Sequence, residues 1–565
     1  MIWDGCPVQP LGVQGDTSYY LDRLGQLRAV KKHEVDTIRN LFGGDVQALA
    51  RHFPQFDKDG SPRLGKFDQA TAAAAMNAAS FEKGLWHPEG SLRGPGAWVD
   101  DDGGLIYHAG DAVLMGGVWH APGLHAGRVF PAERAIPRPA PVPDATAAMH
   151  ALEMLGSWSF RRPGIDPVLA LGLACAQMLG GALSWRPVGW LTGDAATGKS
   201  TFQELLLLLH GGEAGLLQAS DATEAGIRSV LGHSTLPVAV DELEPDTDRP
   251  QKVKAVVELA RRAASGGVIF RGGADQKGHQ SQARSAFLFS SILVPPMPAQ
   301  DRSRLILLDL ERLPAGAPKL TLHPPEWRRI GAQIKAALVQ AWPLWPQRLE
   351  IWRSALALHG QTGRGADNYA TVLAMADAAL HPLSLPDADA QEKWATELAH
   401  SATEDAMEVG SNADDMLTWL LTQTLDPWRK GLRYTVAQWV QCAAKLPGGP
   451  EQIEAVPASG INQYLAPFGL RVRGDGVTAD LCIANKPLQG LCDLFEGSMW
   501  QGGVWSQAAR RIEGSEYVAL TMSGVKTRGV AVPLRAMPGL FAFPPQSARH
   551  PAPHGSPEYS QEDLA

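Results

Sequence analysis

The eight residues from position 193 to position 200 have the types and the spacing of a phosphate-binding loop. They read GDAATGKS and satisfy the pattern G-x-x-x-x-G-K-[ST] at every fixed position. Glycines at the fixed positions let the backbone turn with its N–H groups pointing inward, toward phosphate oxygens. The loop therefore predicts a site for a nucleoside triphosphate with Mg²⁺. The residues predicted to bind the nucleotide are Gly193, Asp194, Ala195, Ala196, Thr197, Gly198, Lys199, Ser200 and Thr201.

The sequence on either side of the loop has the required strand–loop–helix pattern. Residues 188–191 form a short apolar run that predicts a buried strand, and residues 201–210 predict a helix that stops at two glycines. A glycine turn that merely starts a helix has no use for a lysine and a hydroxyl directly after it. We therefore expect Lys199 to pair with the β and γ phosphates and Ser200 to ligate Mg²⁺.

Two consecutive acids follow a second apolar run, 42 residues beyond Lys199. Residues 236–240 read LPVAV and end in Asp241 and Glu242. Asp241 at a strand end can hold Mg²⁺ through water, and Glu242 can polarise the water that attacks the phosphate. A strand that ends in solvated acids is the alternative, and the loop upstream favours the catalytic interpretation.

A third apolar run, residues 286–292, ends in hydroxyl side chains and precedes two arginines. Ser291 at the tip of this predicted strand is a candidate for orienting the attacking water, and Ser290 is its neighbour. Arg302 and Arg304 come just before another predicted strand, so that either can reach the γ-phosphate held by a neighbouring subunit. A surface ion pair with Asp301 is the alternative role for each arginine.

Short strands alternate with helices from about residue 182 to about residue 313, which predicts an α/β core. A Pro-rich stretch precedes this core, Ala- and Leu-rich helical patterns follow it, and the chain ends in a Pro/Ser-rich tail. The expected fold class is therefore multidomain α/β, a P-loop core with smaller flanking domains. The predicted segments are an α+β domain at 1–130, a linker at 131–148, the core at 149–315, a helical lid at 316–410, a domain at 411–540 and a disordered tail at 541–565.

The flanking segments give weaker signals. Residues 17–30 predict a pair of strands, and residues 32–51 and 67–83 have helical patterns. Residues 434–446 and 461–468 predict the two helices of a helix-turn-helix, with residues 469–472 and 479–483 as the strands of a wing. Such a module binds DNA or docks a protein, and both roles stay open. The acidic run at residues 100–102 precedes two glycines, which favours a hairpin turn over a two-metal catalytic site.

Composition excludes several classes of protein. The chain has 565 residues and a formal charge of −8, so a protein coated in nucleic acid is not expected, although a local basic channel is compatible with that sum. Its five cysteines have neither zinc-site nor disulfide spacing. No run of about 18 apolar residues could span a membrane, and the first residues lack a signal-peptide pattern. We expect a cytoplasmic protein that does not bind membranes.

The order of loop, acid-ended strand, polar-tipped strand and arginine pair resembles AAA+ ATPases, and more narrowly the superfamily 3 helicases of the phage, plasmid and prophage primase-helicase group. Between the second and third strands, residues 266–287 read GGVIFRGGADQKGHQSQARSAF. In superfamily 3 the equivalent segment is a β-hairpin that lines the channel of a hexamer and grips single-stranded DNA. The resemblance assigns Lys277 and His279 to the hairpin tip and Arg271 and Arg284 to its arms. The family usually has Asn at the polar strand tip, where this chain has Ser.

This resemblance implies an ATP-driven hexameric ring helicase that translocates on single-stranded DNA during replication of a prophage or other mobile element. ATP and Mg²⁺ are the implied cofactors. Single-stranded or forked DNA, further copies of the same chain and a primase or other replication protein are the implied partners. Two alternatives stay open: an AAA+ switch or loader that remodels a protein partner without unwinding DNA, and an ATPase of phage defence.

Overall fold

The structure is a computed structural model. It divides the chain into two compact units, Met1–Thr403 and Glu404–Ala565, which are described separately below. The segment boundaries predicted from the sequence are finer than this division and stay predictions, and the tail at 541–565 lies outside the described residues. The structure describes residues 5–540 except 145, 221, 244–249, 273–277, 293, 295–303, 315–319, 362, 409–411, 428–432, 448, 487, 499, 502, 523 and 538–539.

The first unit combines β-strands with helices throughout its length. Its strands are β1 (Gln9–Gln14), β2 (Thr17–Leu21), β3 (Leu27–Val30), β4 (Pro54–Phe56), β5 (Pro62–Phe67), β6 (Gly96–Val99), β7 (Leu105–His108), β8 (Val113–Met115), β9 (Val118–His120), β10 (Gly123–His125), β11 (Arg128–Phe130), β12 (Val188–Gly193), β13 (Leu217–Ala219), β14 (Val238–Val240), β15 (Val268–Gly272), β16 (Gly278–Gln282), β17 (Phe287–Ser291) and β18 (Leu305–Leu310). Its helices are α1 (Val35–Leu41), α2 (Val46–His52), α3 (Gln69–Glu82), α4 (Pro88–Ser91), α5 (Ala147–Leu155), α6 (Asp166–Met178), α7 (Lys199–Leu209), α8 (Glu224–Leu231), α9 (Pro250–Ser265), α10 (Pro324–Ala341), α11 (Trp345–Leu358), α12 (Gly363–Leu380) and α13 (Ala388–Glu408).

A five-stranded parallel sheet forms the centre of the first unit and confirms the α/β prediction. Its strand order is β13-β14-β17-β12-β18, and every neighbouring pair is parallel. All six residues of β12 are buried, as expected for a strand in the middle of a parallel sheet covered on both faces. Since parallel strands end at the same edge, the loop after β12 and the acids after β14 share one edge of the sheet.

The two faces of the sheet pack against different helices. Leu191 and Leu288 belong to one apolar cluster with residues of α6 and α7. Trp190 and Phe289, one position away on the same strands, belong to a second cluster with residues of α8 and α9. Consecutive strand residues point to opposite faces, so the register determines which side chains lie on the α7 side.

The N-terminal part of the first unit confirms some predicted elements and corrects one. Strands β2 and β3 form the hairpin predicted at residues 17–30, and β1 adds a third strand. The single helix predicted around residues 32–51 is wrong. The chain forms two short helices, α1 and α2, because Gly43 and Gly44 adopt φ values of +63° and +74°, which end the first helix. The predicted hairpin turn after Asp100 is confirmed, since β6 and β7 pair on either side of it.

The Pro-rich linker is packed against the first unit rather than extended away from it. The N–H of Ile136 donates to the carbonyl of Ala109, and the N–H of Ala140 donates to the carbonyl of Ala332. At Pro137 the carbonyl accepts two hydrogen bonds, from Tyr107 Oη at 2.6 Å and from Lys335 Nζ at 2.8 Å. These contacts join β7, the linker and α10 into one packed region.

Lys335 is a buried amine in the middle of this region, and only 4% of it is exposed. Its Nζ also donates to Tyr107 Oη at 3.0 Å. Burial lowers the pKa of Lys335 from 10.5 to about 7. Burial and the charge of Lys335 together lower the pKa of His210, at the end of α7, to about 3. The amine is therefore held where its charged form is costly.

The described residues of the second unit form short helices, a two-stranded antiparallel sheet and a four-stranded antiparallel sheet. The predicted helix-turn-helix corresponds to the helices Val436–Ala443 and Ala458–Leu465. The predicted wing strands belong to the four-stranded sheet, because Asp480–Ala484 pairs with both Leu470–Arg473 and Val525–Pro533. The helices are α14 (Asn412–Thr422), α15 (Val436–Ala443), α16 (Glu451–Glu454), α17 (Ala458–Leu465), α18 (Gln489–Leu494) and α19 (Trp505–Ala509). The strands are β19 (Thr424–Leu425), β20 (Tyr434–Thr435), β21 (Leu470–Arg473), β22 (Asp480–Ala484), β23 (Glu516–Met522) and β24 (Val525–Pro533).

All five cysteines are free thiols, as the spacing predicts. Among the described residues, no helix is both long enough and apolar enough to cross a membrane. The same part of the chain contains no group of three or more His, Cys, Asp or Glu side chains placed to hold a metal ion.

Lys335→Met is expected to change how stability depends on pH. In the wild type the folded pKa is about 7 and the unfolded pKa about 10.5, so between these values the unfolded chain binds more protons and the free energy of unfolding rises with pH. The variant lacks this rise. Relative to the wild type, its free energy of unfolding should therefore fall by about 2 kcal/mol between pH 7 and pH 9. Urea unfolding followed by circular dichroism measures the free energy of unfolding at each pH, with exposed Lys83→Met as the control. A difference between Lys335→Met and the wild type that stays the same from pH 7 to pH 9 would contradict the prediction.

Candidate nucleotide-binding site

The phosphate-binding loop connects β12 to α7, and its two fixed glycines have backbone conformations that favour glycine. Gly193 has φ +148° and Gly198 has φ +89°. A Cβ on Gly193 would lie 2.5 Å from the carbonyl oxygen of Leu310, and one on Gly198 would lie 2.9 Å from Trp158 Nε1. Both positions therefore require glycine for two reasons, backbone conformation and lack of space.

The middle of the loop is held by a side-chain hydrogen bond and contains a strained residue. Thr197 Oγ1 donates to the carbonyl of Asp194 at 2.9 Å, and Thr197 is buried while residues 194–196 are exposed. Ala196 adopts φ +65°, a conformation that costs a non-glycine residue of order 1 kcal/mol. Such strain persists only where the surrounding contacts enforce it.

The ammonium group of Lys199 lies within the curve of the loop. Its Nζ donates to the carbonyl of Gly193 and, at 2.9 Å, to the carbonyl of Asp194. Ser200 follows on the first turn of α7 and is exposed. The N-terminus of α7 adds about half a positive charge at this point. A triphosphate bound here would meet the lysine, the helix terminus and the exposed hydroxyl together.

Trp158 supports the loop from outside and was not predicted. Its indole Nε1 donates to the carbonyl of Gly198 at 3.1 Å, and its ring packs edge-on against Phe202 of α7 with centroids 5.6 Å apart. Only 4% of Trp158 is exposed. Residue 158 is 40 positions before Gly198, and no local pattern in the sequence indicates that the two meet.

A buried ion pair fixes the segment that carries Trp158 beside β18. The guanidinium of Arg162 donates to the carbonyl of Leu307 at 2.7 Å and to the carboxylate of Asp166 at 2.7 Å. Burial raises the pKa of Asp166 to about 6, although Arg162 opposes that rise. Phe160 bridges to Leu310 of the same strand. Trp158 is thereby tied to the strand that neighbours the loop strand.

The two predicted acids follow β14 at the same edge of the sheet as the loop. The N–H of Asp241 extends the strand pairing by donating to Ala219, and its half-buried side chain follows Ala239 in the strand alternation, which places it on the α7 side. Glu242 is exposed, adopts φ +53°, and donates its N–H to Asp241 Oδ1 at 3.0 Å. Asp241 and Ser200 supply the oxygen ligands that Mg²⁺ prefers, so this donor set fits the ion.

The serines at the end of β17 do not fit the role predicted for Ser291. The Ser291 hydroxyl accepts a hydrogen bond from Trp190 Nε1 at 2.8 Å, on the face of the sheet away from α7, and the residue is 1% exposed. Ser290 lies on the α7 side but is also fully buried. The register of β17 against β12 determines which serine faces α7, and a single sequence does not reveal that register.

Arg304, one of the two predicted trans arginines, lies at the opposite end of the sheet from the loop. Arg304 immediately precedes β18, and β18 runs beside β12 with Leu305 opposite Val188 and Leu310 opposite Gly193. Six residues of strand span about 20 Å. Arg304 is therefore too far away to contact phosphates in its own loop. Arg302 lies outside the described residues.

The hairpin that the sequence predicted between the second and third strands is present. Strands β15 and β16 pair antiparallel, and Arg271 lies opposite His279 in the register. Lys277, at the predicted tip, lies outside the described residues. Arg284, predicted on an arm, is half-buried with its guanidinium carbon 5.9 Å from the centre of the Trp98 ring. Burial lowers the pKa of Arg284.

Comparison with solved structures finds matches of low identity that extend over most of the chain. One, described as an active helicase, Cch of SCCmec type IV, is 12% identical with a TM-score of 0.44, covering 92% of this chain and 90% of that chain. Another, the apo A form of the NrS-1 C-terminal region, is 12% identical with a TM-score of 0.34, covering 93% of this chain and 97% of that chain. No protein-family model matches the sequence. A search of curated proteins also finds no match.

Trp158→Phe is expected to weaken nucleotide binding by roughly fivefold. The change removes the hydrogen bond to the Gly198 carbonyl, worth about 1 kcal/mol, and keeps a ring that can pack against Phe202. Trp352→Phe is the matched control, because Trp352 is equally buried and its Nε1 has no hydrogen-bond partner within the described residues. Titration with a fluorescent ATP analogue measures both variants. Equal affinity for Trp158→Phe and the wild type would exclude the supporting role.

Proposed function

We propose that this chain binds and hydrolyses ATP with Mg²⁺ at the edge of its parallel sheet. The observation that carries the proposal is the loop itself, since Gly193 and Gly198 adopt the conformations that the motif needs and Lys199 lies inside the resulting curve. Asp241 and Glu242 follow a strand of the same sheet at the same edge. Binding groups and acids for hydrolysis therefore belong to one site.

Each group has a distinct role in the proposed reaction. Inward N–H groups of the loop and Lys199 neutralise charge on the phosphates, and positioning and charge stabilisation supply most of the catalysis in phosphoryl transfer. Ser200 and Asp241 would hold Mg²⁺, which would supply positive charge against the charge that develops on the phosphates. Glu242 is exposed and can accept a proton from an attacking water. Its φ of +53° takes the backbone out of the strand conformation directly after β14.

The finer proposal is an AAA+ ring helicase of the superfamily 3 type, a homohexamer that moves single-stranded DNA with the β15–β16 hairpin. The position of Arg304, about 20 Å from its own loop, supports a site completed by a neighbouring subunit. An antiparallel hairpin with Arg271 opposite His279 supports a basic projection toward DNA. A protein-remodelling switch or loader and a phage-defence ATPase are the alternatives that the experiments separate.

Glu242→Gln is expected to bind ATP normally and to hydrolyse it at least about 100-fold more slowly, since general-base catalysis contributes factors of that order. Lys199→Ala should lose nucleotide affinity, because the phosphate charge loses its cationic partner. Exposed Glu213→Gln is the matched control and should behave as the wild type. Phosphate release and binding of a fluorescent ATP analogue measure these effects. Wild-type turnover by Glu242→Gln would remove Glu242 from the mechanism.

The same proteins test the helicase proposal on a forked DNA duplex. The wild type should displace a strand with ATP, and Lys199→Ala should not. ATP hydrolysis that single-stranded DNA leaves unchanged, together with no displacement, would favour the remodelling switch. The ATPase proposal and the helicase proposal are thus tested separately, because hydrolysis without unwinding would support the first and contradict the second.

Arg304→Ala is expected to bind ATP and to hydrolyse it on the order of 10³-fold more slowly, as when a trans arginine is removed in related phosphoryl-transfer systems. Mixing this variant with Lys199→Ala should partly restore hydrolysis, because some interfaces then join an intact loop to an intact arginine. Subunit exchange is checked independently by energy transfer between labelled chains. No restoration despite exchange would contradict the shared site.

A further inference from the structure

Strands β4 and β5 form an antiparallel ribbon in the N-terminal part of the chain, and β5 lies beside α2. These two strands form a sheet of their own and pair with no third strand among the described residues. Every residue from 56 to 66 is exposed, including most of β5. The ends of the ribbon at Pro54 and Phe67 are half-buried, but the exposed stretch from 56 to 66 contributes little to the core, so its side chains need another explanation.

The base and the turn of the ribbon are firmly built. Phe53 at the base is 1% exposed and packs edge-on against Phe42, and its carbonyl accepts from the N–H of Asp68 at 2.8 Å. At the turn, Asp57 Oδ1 accepts from the N–H groups of Asp59 and Ser61 at 3.0 and 2.9 Å. The ribbon is therefore an ordered element with a fixed turn.

Two apolar side chains on the ribbon are open to solvent. Phe56 is 58% exposed and Leu64 is fully exposed. Prolines and lysines on a short edge strand are common protection against unwanted strand pairing, and Pro62 and Lys66 fit that role. That role does not account for Phe56 and Leu64, which increase the tendency to associate. Their exposure leaves two apolar side chains open to a partner.

Three cations accompany these side chains in a chain whose formal charge is −8. Lys58 lies at the turn, and Arg63 and Lys66 lie on β5. No carboxylate of the described residues pairs with any of the three, and Arg63 contacts only the amide oxygen of Gln55, at 3.4 Å. Two exposed acids, Asp57 and Asp59, flank Lys58 at the turn, so the ribbon carries three cations and two carboxylates. The ribbon thus combines unpaired cations with exposed apolar groups.

We infer that this ribbon binds duplex DNA, with its cations on phosphates and Phe56 and Leu64 against the bases. A two-stranded β-ribbon can enter the major or the minor groove of DNA. Architectural proteins that bind the minor groove insert Phe and Leu between base steps, which partly unstacks those steps. The narrow major groove of duplex RNA does not admit such a ribbon. This inference goes beyond the proposed function, since binding by the ribbon needs no ATP.

The experiment compares charge removal on the ribbon with equal removal elsewhere in the same domain. Lys58→Ala with Lys66→Ala is paired with a control, Lys32→Ala with Lys83→Ala, whose lysines are also exposed and belong to neither ribbon strand. Fluorescence anisotropy of a labelled duplex of about 20 base pairs, without nucleotide, measures affinity across a salt series. The ribbon variant should bind roughly tenfold more weakly at about 0.1 M salt. The slope of log affinity against log salt should shrink by about 2, because each lost phosphate contact contributes about 0.9.

Phe56→Ala tests the wedge, and Phe81→Ala is its control, since Phe81 is 67% exposed on α3. A duplex containing 2-aminopurine should become more fluorescent with the wild type and with Phe81→Ala, and should not with Phe56→Ala. Equal behaviour of the ribbon and control variants in both assays overturns the inference. The inference is also overturned if the ribbon substitutions weaken binding to duplex RNA as much as binding to duplex DNA. Ribbon variants that only change self-association, measured by ultracentrifugation, would assign the ribbon to a protein contact and overturn DNA binding.

Discussion

The parallel direction of β12, β14 and β17 is the constraint on which the candidate site depends. In this arrangement the carboxyl ends of the three strands meet at one edge, so a loop, two acids and two serines that are far apart in sequence become neighbours. An antiparallel β14 would carry its acids to the other edge, beyond reach of the loop. The burial of both sheet faces by helices is what permits this all-parallel order.

Backbone strain is concentrated at that edge. Among the described residues, four that are not glycine adopt positive φ, and two of them, Ala196 and Glu242, belong to the candidate site. Each is held by a nearby hydrogen bond, from Thr197 to the carbonyl of Asp194 in the loop and from the Glu242 N–H to Asp241 in the acid pair. Strain maintained at a ligand-binding edge is typical of sites whose groups are fixed before the ligand arrives.

The sequence was sufficient for features set by local residue types and insufficient for those set by distant contacts. The loop was predictable because its glycines and lysine have few other uses, and the hairpins because turn formers mark them. The helical pattern across Gly43 and Gly44 does not form one continuous helix, because both glycines adopt left-handed conformations that end the first helix. Ser291 does not fit its predicted role because the strand register places its side chain on the face of the sheet away from α7. Trp158 was not predicted, because nothing near it in sequence indicates a contact 40 residues away.

The loop helix is coupled mechanically to the rest of the first unit. Its last residue, Leu209, lies so close to α10 that a Cβ on Gly331 would be 1.8 Å from the Leu209 carbonyl oxygen. One turn further along α10, Lys335 is bonded to the linker and to Tyr107 of β7. Close-packed contacts of this kind transmit displacement instead of absorbing it. A shift of α7 that accompanies nucleotide turnover would therefore move α10, the linker and β7 together. These elements would then move as one body, so that a displacement at the loop reaches β7 and the linker without being lost in between.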